Sequence, residues 1–205
     1  MDKLRLIIFT RYPEAGQVKT RLIPTLGIAG AAALHRKMTE QTITKTSLFK
    51  GEIEVRFTGG NLNLMKKWLG NNLLYREQIG SNLGISMNNA MADAFFEKKN
   101  KAVIIGTDCP GLRLDHINSA FDELDRSDLV LGPAHDGGYY LIGLRKIQKE
   151  LFKGITWGSD KVYQQTLDAA ARLNLRITEL KCLADVDKPE DLALWITSEN
   201  LTGVL

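Results

Sequence analysis

Three short segments gather the residue types from which anion and metal chemistry is built. The first, residues 10–22, carries Arg11, Gly16, Lys19 and Arg21. Guanidinium and ammonium groups neutralise phosphate, the former as a planar fork and the latter as a point charge. A glycine among them lets the backbone approach a ligand closely. Gly16 and Lys19 do not make a P-loop, because the spaced glycine pair is missing, and no G-x-G-x-x-G dinucleotide fingerprint occurs in the chain. Charged loops are ordinarily just solvated. What points this one toward anions is its place directly after the first predicted strand.

The second segment is Gly106-Thr107-Asp108-Cys109-Pro110-Gly111. An aspartate immediately after a buried apolar strand is well placed to hold Mg2+ or Mn2+, hard cations that take carboxylate oxygens and keep phosphate oxygens as partners. The plainer reading of Asp108 is a turn former bonded to nearby backbone. Cys109 as a nucleophile would need a base and an orienting group. His35, His116 and His135 stand at no diagnostic spacing from it, and a small buried filler is the better reading.

The third segment surrounds His135-Asp136-Gly137-Gly138-Tyr139-Tyr140. Consecutive glycines imply either a backbone lying against a ligand or a turn with positive φ. Asp136 can serve as a catalytic base or accept from a sugar hydroxyl, although Asp-Gly is also a strong hairpin signal. His135 can contact substrate or simply lie exposed. Tyr139, Tyr140 and Trp157 can stack on a sugar or base, or fill the core. Near the end, Asp187 with Glu190 three residues on fits a helix cap, with Pro189 in the first turn. Capping does not need Asp185, a carboxylate that could complete a metal site opposite Asp108.

These loops need a scaffold, and the pattern supplies one. Short β-branched runs alternate with helical periods, the signature of a mostly parallel sheet covered by helices. Strands are predicted over residues 4–10, 53–58, 74–79, 101–106, 128–133, 139–144 and 176–180, and helices over 29–47, 62–69, 83–98, around 114–124, and over 159–173 and 189–196. Residues 11–24 read as a loop. The Asp136-Gly137-Gly138 turn makes 128–133 and 139–144 a hairpin or bent strand, so the sheet should be mixed. In such sheets ligands bind at the carboxyl ends of the strands, where all three segments fall.

Composition sets the outer bounds. The chain has 205 residues, 44% hydrophobic and 25% charged, which suits one α/β domain over 1–205 and excludes disordered, collagen-like and coiled-coil classes. Two cysteines argue against a disulfide framework and fit a reducing, cytoplasmic setting. The formal charge of +3 is spread along the chain, against nucleic-acid binding and compatible with a small anionic ligand. No stretch approaches a membrane span or a signal-peptide core.

Together, Phe9-Thr10-Arg11-Tyr12-Pro13-Glu14 with Val18-Lys19-Thr20-Arg21-Leu22, then Gly106 to Leu112, then Leu131-Gly132-Pro133-Ala134 with Asp136 to Leu144, resemble the bacterial DUF2064 family. The resemblance spans almost the whole chain. It implies a nucleotide-diphospho-sugar transferase (GT-A, Rossmann-like) fold, with helices on both faces of the sheet. It further implies a nucleotide or nucleotide-sugar site in the amino-terminal half, with the loop from Thr10 through Arg11, Gly16, Lys19 and Arg21 around base and phosphates. Thr107, Gly137, Gly138 and Tyr139 join it as expected substrate contacts. Asp108 matches the metal aspartate of such transferases, although Thr107-Asp108-Cys109-Pro110 departs from their D-x-D. That element is also similar to the Ser/Gly-Asp-x-Pro of MobA-like and CofC-like nucleotidylyltransferases. The segment Val186 to Leu192 is similar to one in sugar-acid cytidylyltransferases, which implies Asp187 as a second metal ligand. The expectation is a glycosyltransferase using a nucleotide-diphosphate sugar and Mg2+ or Mn2+, with Asp136 as base. The alternatives are a nucleotidylyltransferase and a non-catalytic nucleotide- or sugar-binding module.

Overall fold

Leu6, Ile7 and Ile8 are fully buried because strand β1 (Leu4–Arg11) is covered on both sides. The computed structural model describes residues 3–196. Strand β1 pairs in parallel with β2 (Glu52–Thr58) and β4 (Lys101–Ile105), and β2 with β3 (Leu74–Glu77). The antiparallel β6 (Tyr139–Leu144) lies between β4 and β5 (Leu129–Pro133), which pairs in parallel with β7 (Ile177–Glu179). The seven-stranded order is β3-β2-β1-β4-β6-β5-β7.

Alternate residues of the strands feed two layers, as the period of two requires. On one face Ile7, Ala102 and Ile104 meet Met87 and Met91 of α3 (Leu83–Phe96) and Ala169 of α5 (Val162–Arg172). On the other, Leu6, Ile8, Val103 and Ile105 meet Ile117 and Phe121 of α4 (Leu114–Glu123). Helix α2 (Leu62–Leu69) sets Met65 against Val55, Phe57 and Tyr75. The predicted elements are all present, with ends moved by a few residues. No helix among the described residues is long and apolar enough to cross a membrane.

One expectation needs correction. The stretch 11–24 is not all loop: Thr20–Leu22 is a 3-10 turn, and α1 (Ile23–Thr46) starts directly after it. Pro24 falls in the first turn, where its missing N–H is no loss, and Gly27 (φ 70°) kinks the helix. Leu22, Leu34 and Met38 then bury against Val186 and Trp195, fastening the first loop to the end of the described chain.

In β2, Ile53, Val55 and Phe57 alternate with Glu54 and Arg56, residue types that ordinarily face water. Glu54 and Arg56 are instead buried on the sheet, and so is Arg5 within the apolar run of β1. Glu54 pairs with both arginines. Arg5 also bonds Glu97 at 2.6 Å, and Arg56 bonds Asp93 at 2.5 Å. Buried charge is tolerated only when paired, and this network pairs it. Glu54→Ala would remove the one fully buried carboxylate that both guanidinium groups share, leaving them only the part-exposed Glu52, Glu97 and Asp93, and is expected to destabilise the fold by about 3 kcal/mol. Urea unfolding checks this; a loss under about 1 kcal/mol would contradict it.

Candidate active site

Strands β1 to β5 all run parallel, so the loops after them share one edge of the sheet. From β1 the chain moves outward to β2 and β3, then returns to β4 on the other side of β1. The reversal opens a crevice between the loops after β1 and β4, the position where open α/β sheets bind ligands.

Lys19 closes that crevice. Its backbone is left-handed (φ 47°) at the start of the 3-10 turn, and its side chain is only 4% exposed. Nζ lies 2.9 Å from Asp108 Oδ1 and 3.7 Å from Asp187 Oδ1, and it donates to the Val186 carbonyl at 2.7 Å. The Val186 N–H in turn donates to the Asp108 carbonyl at 2.9 Å, so backbone bonding holds the two aspartates side by side. Arg21, largely exposed, pairs with the other oxygen of Asp187. Residues 19, 21, 108 and 187 are thereby brought together, and Asp108 keeps about half its side chain open to solvent.

The helix cap is not built as the spacing suggests. Asp191, not Glu190, supplies the carboxylate, accepting from Lys188 N–H at 2.7 Å and Asp187 N–H at 3.0 Å. The Asp187 side chain is left for Arg21 and Lys19.

A second acidic group borders the first. Asp136 caps its own turn, with Oδ1 accepting from Gly138 N–H at 2.8 Å, and remains exposed. Asp185 is held above the ordinary aspartate range by its burial first and then by the nearby Asp136 charge. Cys109 is buried, and burial, with Asp185, Asp108 and Asp136 adding to it, pushes its thiol far up, so it is a protonated filler.

Several expected contacts are turned elsewhere. Gly137 (φ 85°) is required by the chain itself, since a Cβ there would lie 2.2 Å from the Asp160 carbonyl oxygen. The Tyr139 hydroxyl faces Met87 Sδ at 3.9 Å, and that of Tyr140 donates to the Lys181 carbonyl. Trp157 packs on Gly84. The Thr10 hydroxyl is buried against that of Thr39, and Thr107 is buried too. Arg11 is exposed and lies over Gly59; Gly16 takes a left-handed turn (φ 82°) beside Ile28.

Two features escape the sequence reading. His35 of α1 is buried, with Nε2 donating to the Arg11 carbonyl at 2.9 Å and Nδ1 unpartnered. Burial lowers its pKa, which leaves the ring neutral. Its place on the same stripe as Ala31, Leu34, Met38 and Thr42 is the signal that could have found it. The other is a cleft of about 220 Å³ at the ends of β2 and β3, lined by Phe57, Thr58, Gly59, Gly60, Glu77 and Gln78. Gln78 Nε2 donates to the carbonyls of Thr10 (3.1 Å) and Arg56 (3.0 Å), which ties the cleft to β1 and fixes the amide's orientation.

A mixed sheet in this order, with a cationic loop after β1 and an aspartate after β4, defines the nucleotide-diphospho-sugar transferase type of α/β fold. Within that class the chain belongs to DUF2064, a family described as "Uncharacterized protein conserved in bacteria", which it matches over residues 42–159. The crystal structure of a "putative nucleotide-diphospho-sugar transferase" from Desulfovibrio desulfuricans G20 is similar at TM-score 0.92 and 34% identity, over 98% of this chain and 89% of that one. CMP:2-keto-3-deoxy-manno-octonic acid synthetase complexed with CTP shares the fold at TM-score 0.61 and 11% identity, over 100% of both chains. Glucosyl-3-phosphoglycerate synthase from Mycobacterium tuberculosis, in complex with Mn2+, UDP and glucosyl-3-phosphoglycerate, shares it at TM-score 0.56 and 12% identity, over 97% of this chain and 76% of that one. None of the curated proteins compared with the chain matches it.

Two outcomes follow from the geometry. Asp191→Ala should cost about 0.5–2 kcal/mol as a lost cap, whereas Glu190→Ala, at an exposed residue outside the cap, should leave stability nearly unchanged; the reverse order in thermal unfolding would contradict the assignment. Asp185 ionises at greater cost folded than unfolded, so its burden appears as pH rises through the ordinary aspartate range and is absent below it. Asp185→Asn should therefore raise Tm at about pH 7 and leave it unchanged near pH 3. An equal gain at both values would show that charge is not the cause.

Proposed function

We propose that the chain is a transferase acting on a nucleotide-diphosphate sugar, with the diphosphate seated at Lys19, Arg21 and Asp108. The observation that carries this reading is the convergence of Asp108 and Asp187 on one cation, Lys19 Nζ, in the crevice between β1 and β4. Adjacent strands lie about 4.7–4.9 Å apart, so the cleft beyond β2 stands roughly 10 Å from Asp108 beyond β4. That matches the reach of a nucleoside with its two phosphates. The cleft of Thr58, Gly59, Gly60 and Gln78 then takes the base, and the exposed Arg11 passes between the two.

The donor set fits a hard divalent ion. Among the described residues no three His, Cys, Asp or Glu side chains are placed to hold a metal alone. Two carboxylates completed by phosphate oxygens and water are, however, the ordinary way a protein holds Mg2+. Asp108 and Asp187 would hold it. When bound, the ion neutralises charge on the departing diphosphate. Lys19 and Arg21 donate to the same phosphates, and this preorganised positive charge stabilises the leaving group.

In the sugar transfer, an acceptor hydroxyl forms the new bond to the anomeric carbon as the carbon–oxygen bond to the diphosphate breaks. Asp136, open to solvent on its turn, takes the hydroxyl proton, and the nucleoside diphosphate leaves with the bond's electron pair. Structurally similar proteins support the class: one is a synthetase complexed with CTP and another is a synthase in complex with Mn2+ and UDP. A second reading, nucleotidylyl transfer with pyrophosphate release, is favoured by one observation. The carboxylate pair serves both reactions, but the segment Val186 to Leu192 that supplies Asp187 is similar to one in sugar-acid cytidylyltransferases.

Product analysis separates the two. Release of nucleoside diphosphate from a nucleotide sugar supports the first reading, and pyrophosphate released from a nucleoside triphosphate supports the second. Asp108→Asn is expected to weaken nucleotide binding more than tenfold with Mn2+ present and little without it. Equal losses under both conditions, read by calorimetry, would overturn the metal-ligand role.

A further inference from the structure

Lys19 raises a question that a metal site alone does not answer. Its ammonium has three N–H donors and no acceptor, and three oxygens surround it: Asp108 Oδ1 at 2.9 Å, the Val186 carbonyl at 2.7 Å and Asp187 Oδ1 at 3.7 Å. The side chain is 4% exposed, so the charge cannot swing freely into water. Its backbone sits in a left-handed conformation that L-residues other than glycine adopt only at a cost, and such strain marks positions held for a purpose. The ammonium thus stands at the point on which both carboxylates converge. Arg21 occupies the remaining oxygen of Asp187.

From this geometry we propose that Lys19 is a built-in counter-ion, and that the site admits a divalent cation only as its complex with a diphosphate. The inference rests on the metal-ligand reading of Asp108 and Asp187 given above. A divalent ion arriving alone would place three positive charges, with that of Lys19, against the two carboxylates. It would also compete for oxygens that already neutralise a buried ammonium, whose loss of partners is costly. A diphosphate changes the balance on both counts. Its oxygens accept the N–H donors that Lys19 withdraws from the aspartates, and its charge offsets the added cation. Arg21 is released in the same way, from the surface side. Metal and diphosphate affinities are then coupled, and the coupling is reciprocal: each ligand raises the affinity of the other by one common factor.

Equilibrium dialysis of Mn2+ against the full chain, with and without inorganic pyrophosphate in both compartments, tests this directly. The wild-type protein should retain Mn2+ at least tenfold more weakly alone than with pyrophosphate. Lys19→Met keeps the aliphatic stem and removes the charge; it should retain Mn2+ alone at least tenfold more tightly than wild type and bind pyrophosphate more weakly. Adding Asp108→Asn to Lys19→Met should abolish the retention so gained. Arg21→Met, at an exposed position where folding is not at stake, should show a smaller gain in the same direction. Wild type and both single variants retaining free Mn2+ equally would overturn the counter-ion while leaving the metal site intact. No retention by any form, even with pyrophosphate, would overturn the metal-ligand reading and the counter-ion with it.

Discussion

One buried ammonium organises the functional edge of this protein. Lys19 ties together a loop from the start of the chain, the end of the central strand β4 and a segment near the carboxyl terminus. In sequence these partners are far apart, and only the crevice between β1 and β4 brings them within hydrogen-bond reach. An ammonium buried to this degree persists only where charges and carbonyls surround it. The site and its anchoring contacts are therefore one structure. The same bonds that close the loop over the sheet also bring the two carboxylates to one cation.

The scaffold beneath it solves a related problem by different means. Arg5, Glu54 and Arg56 lie buried on the amino-terminal half of the sheet, under α3, in a network reaching Asp93 and Glu97. A buried ion network is weak evidence for stability. Its partners are, however, specified atom by atom, so it disfavours any slip of β1 against β2, since a one-residue shift would turn these charges to the opposite face. The register of those strands sets the height of Arg11 beside Thr58, and so the relation of the cationic loop to the cleft at the ends of β2 and β3.

Much of this was legible in the residues. The apolar runs of β1 and β4 and the hairpin signal at Asp136-Gly137 give a mixed α/β sheet, and the family motifs give its type. Lys19, Arg21 and Asp108 were legible from their places in loops after predicted strands, and Asp187 as a ligand only through the resemblance of its segment to one in sugar-acid cytidylyltransferases. Their pairing was not, since it depends on a backbone bond from Val186 to Asp108 that no local pattern encodes. Alternation located β2 but not the burial of Glu54 and Arg56, because a period of two cannot distinguish water from a buried partner. The paired glycines left open a ligand or a positive-φ turn, and Gly137 takes the turn, with Asp160 of the same chain as its close neighbour. His35 was hidden because a buried polar residue on a helix stripe resembles its apolar neighbours until the strand end it touches is known.

The central claim, that the crevice between β1 and β4 grips a metal–diphosphate complex, is open to one direct observation. Crystals soaked in Mn2+ and pyrophosphate and measured for anomalous scattering should show a peak bridging the side chains of residues 108 and 187, with phosphorus density beside residues 19 and 21. A peak elsewhere on the protein, or phosphate density away from that crevice, would contradict the account.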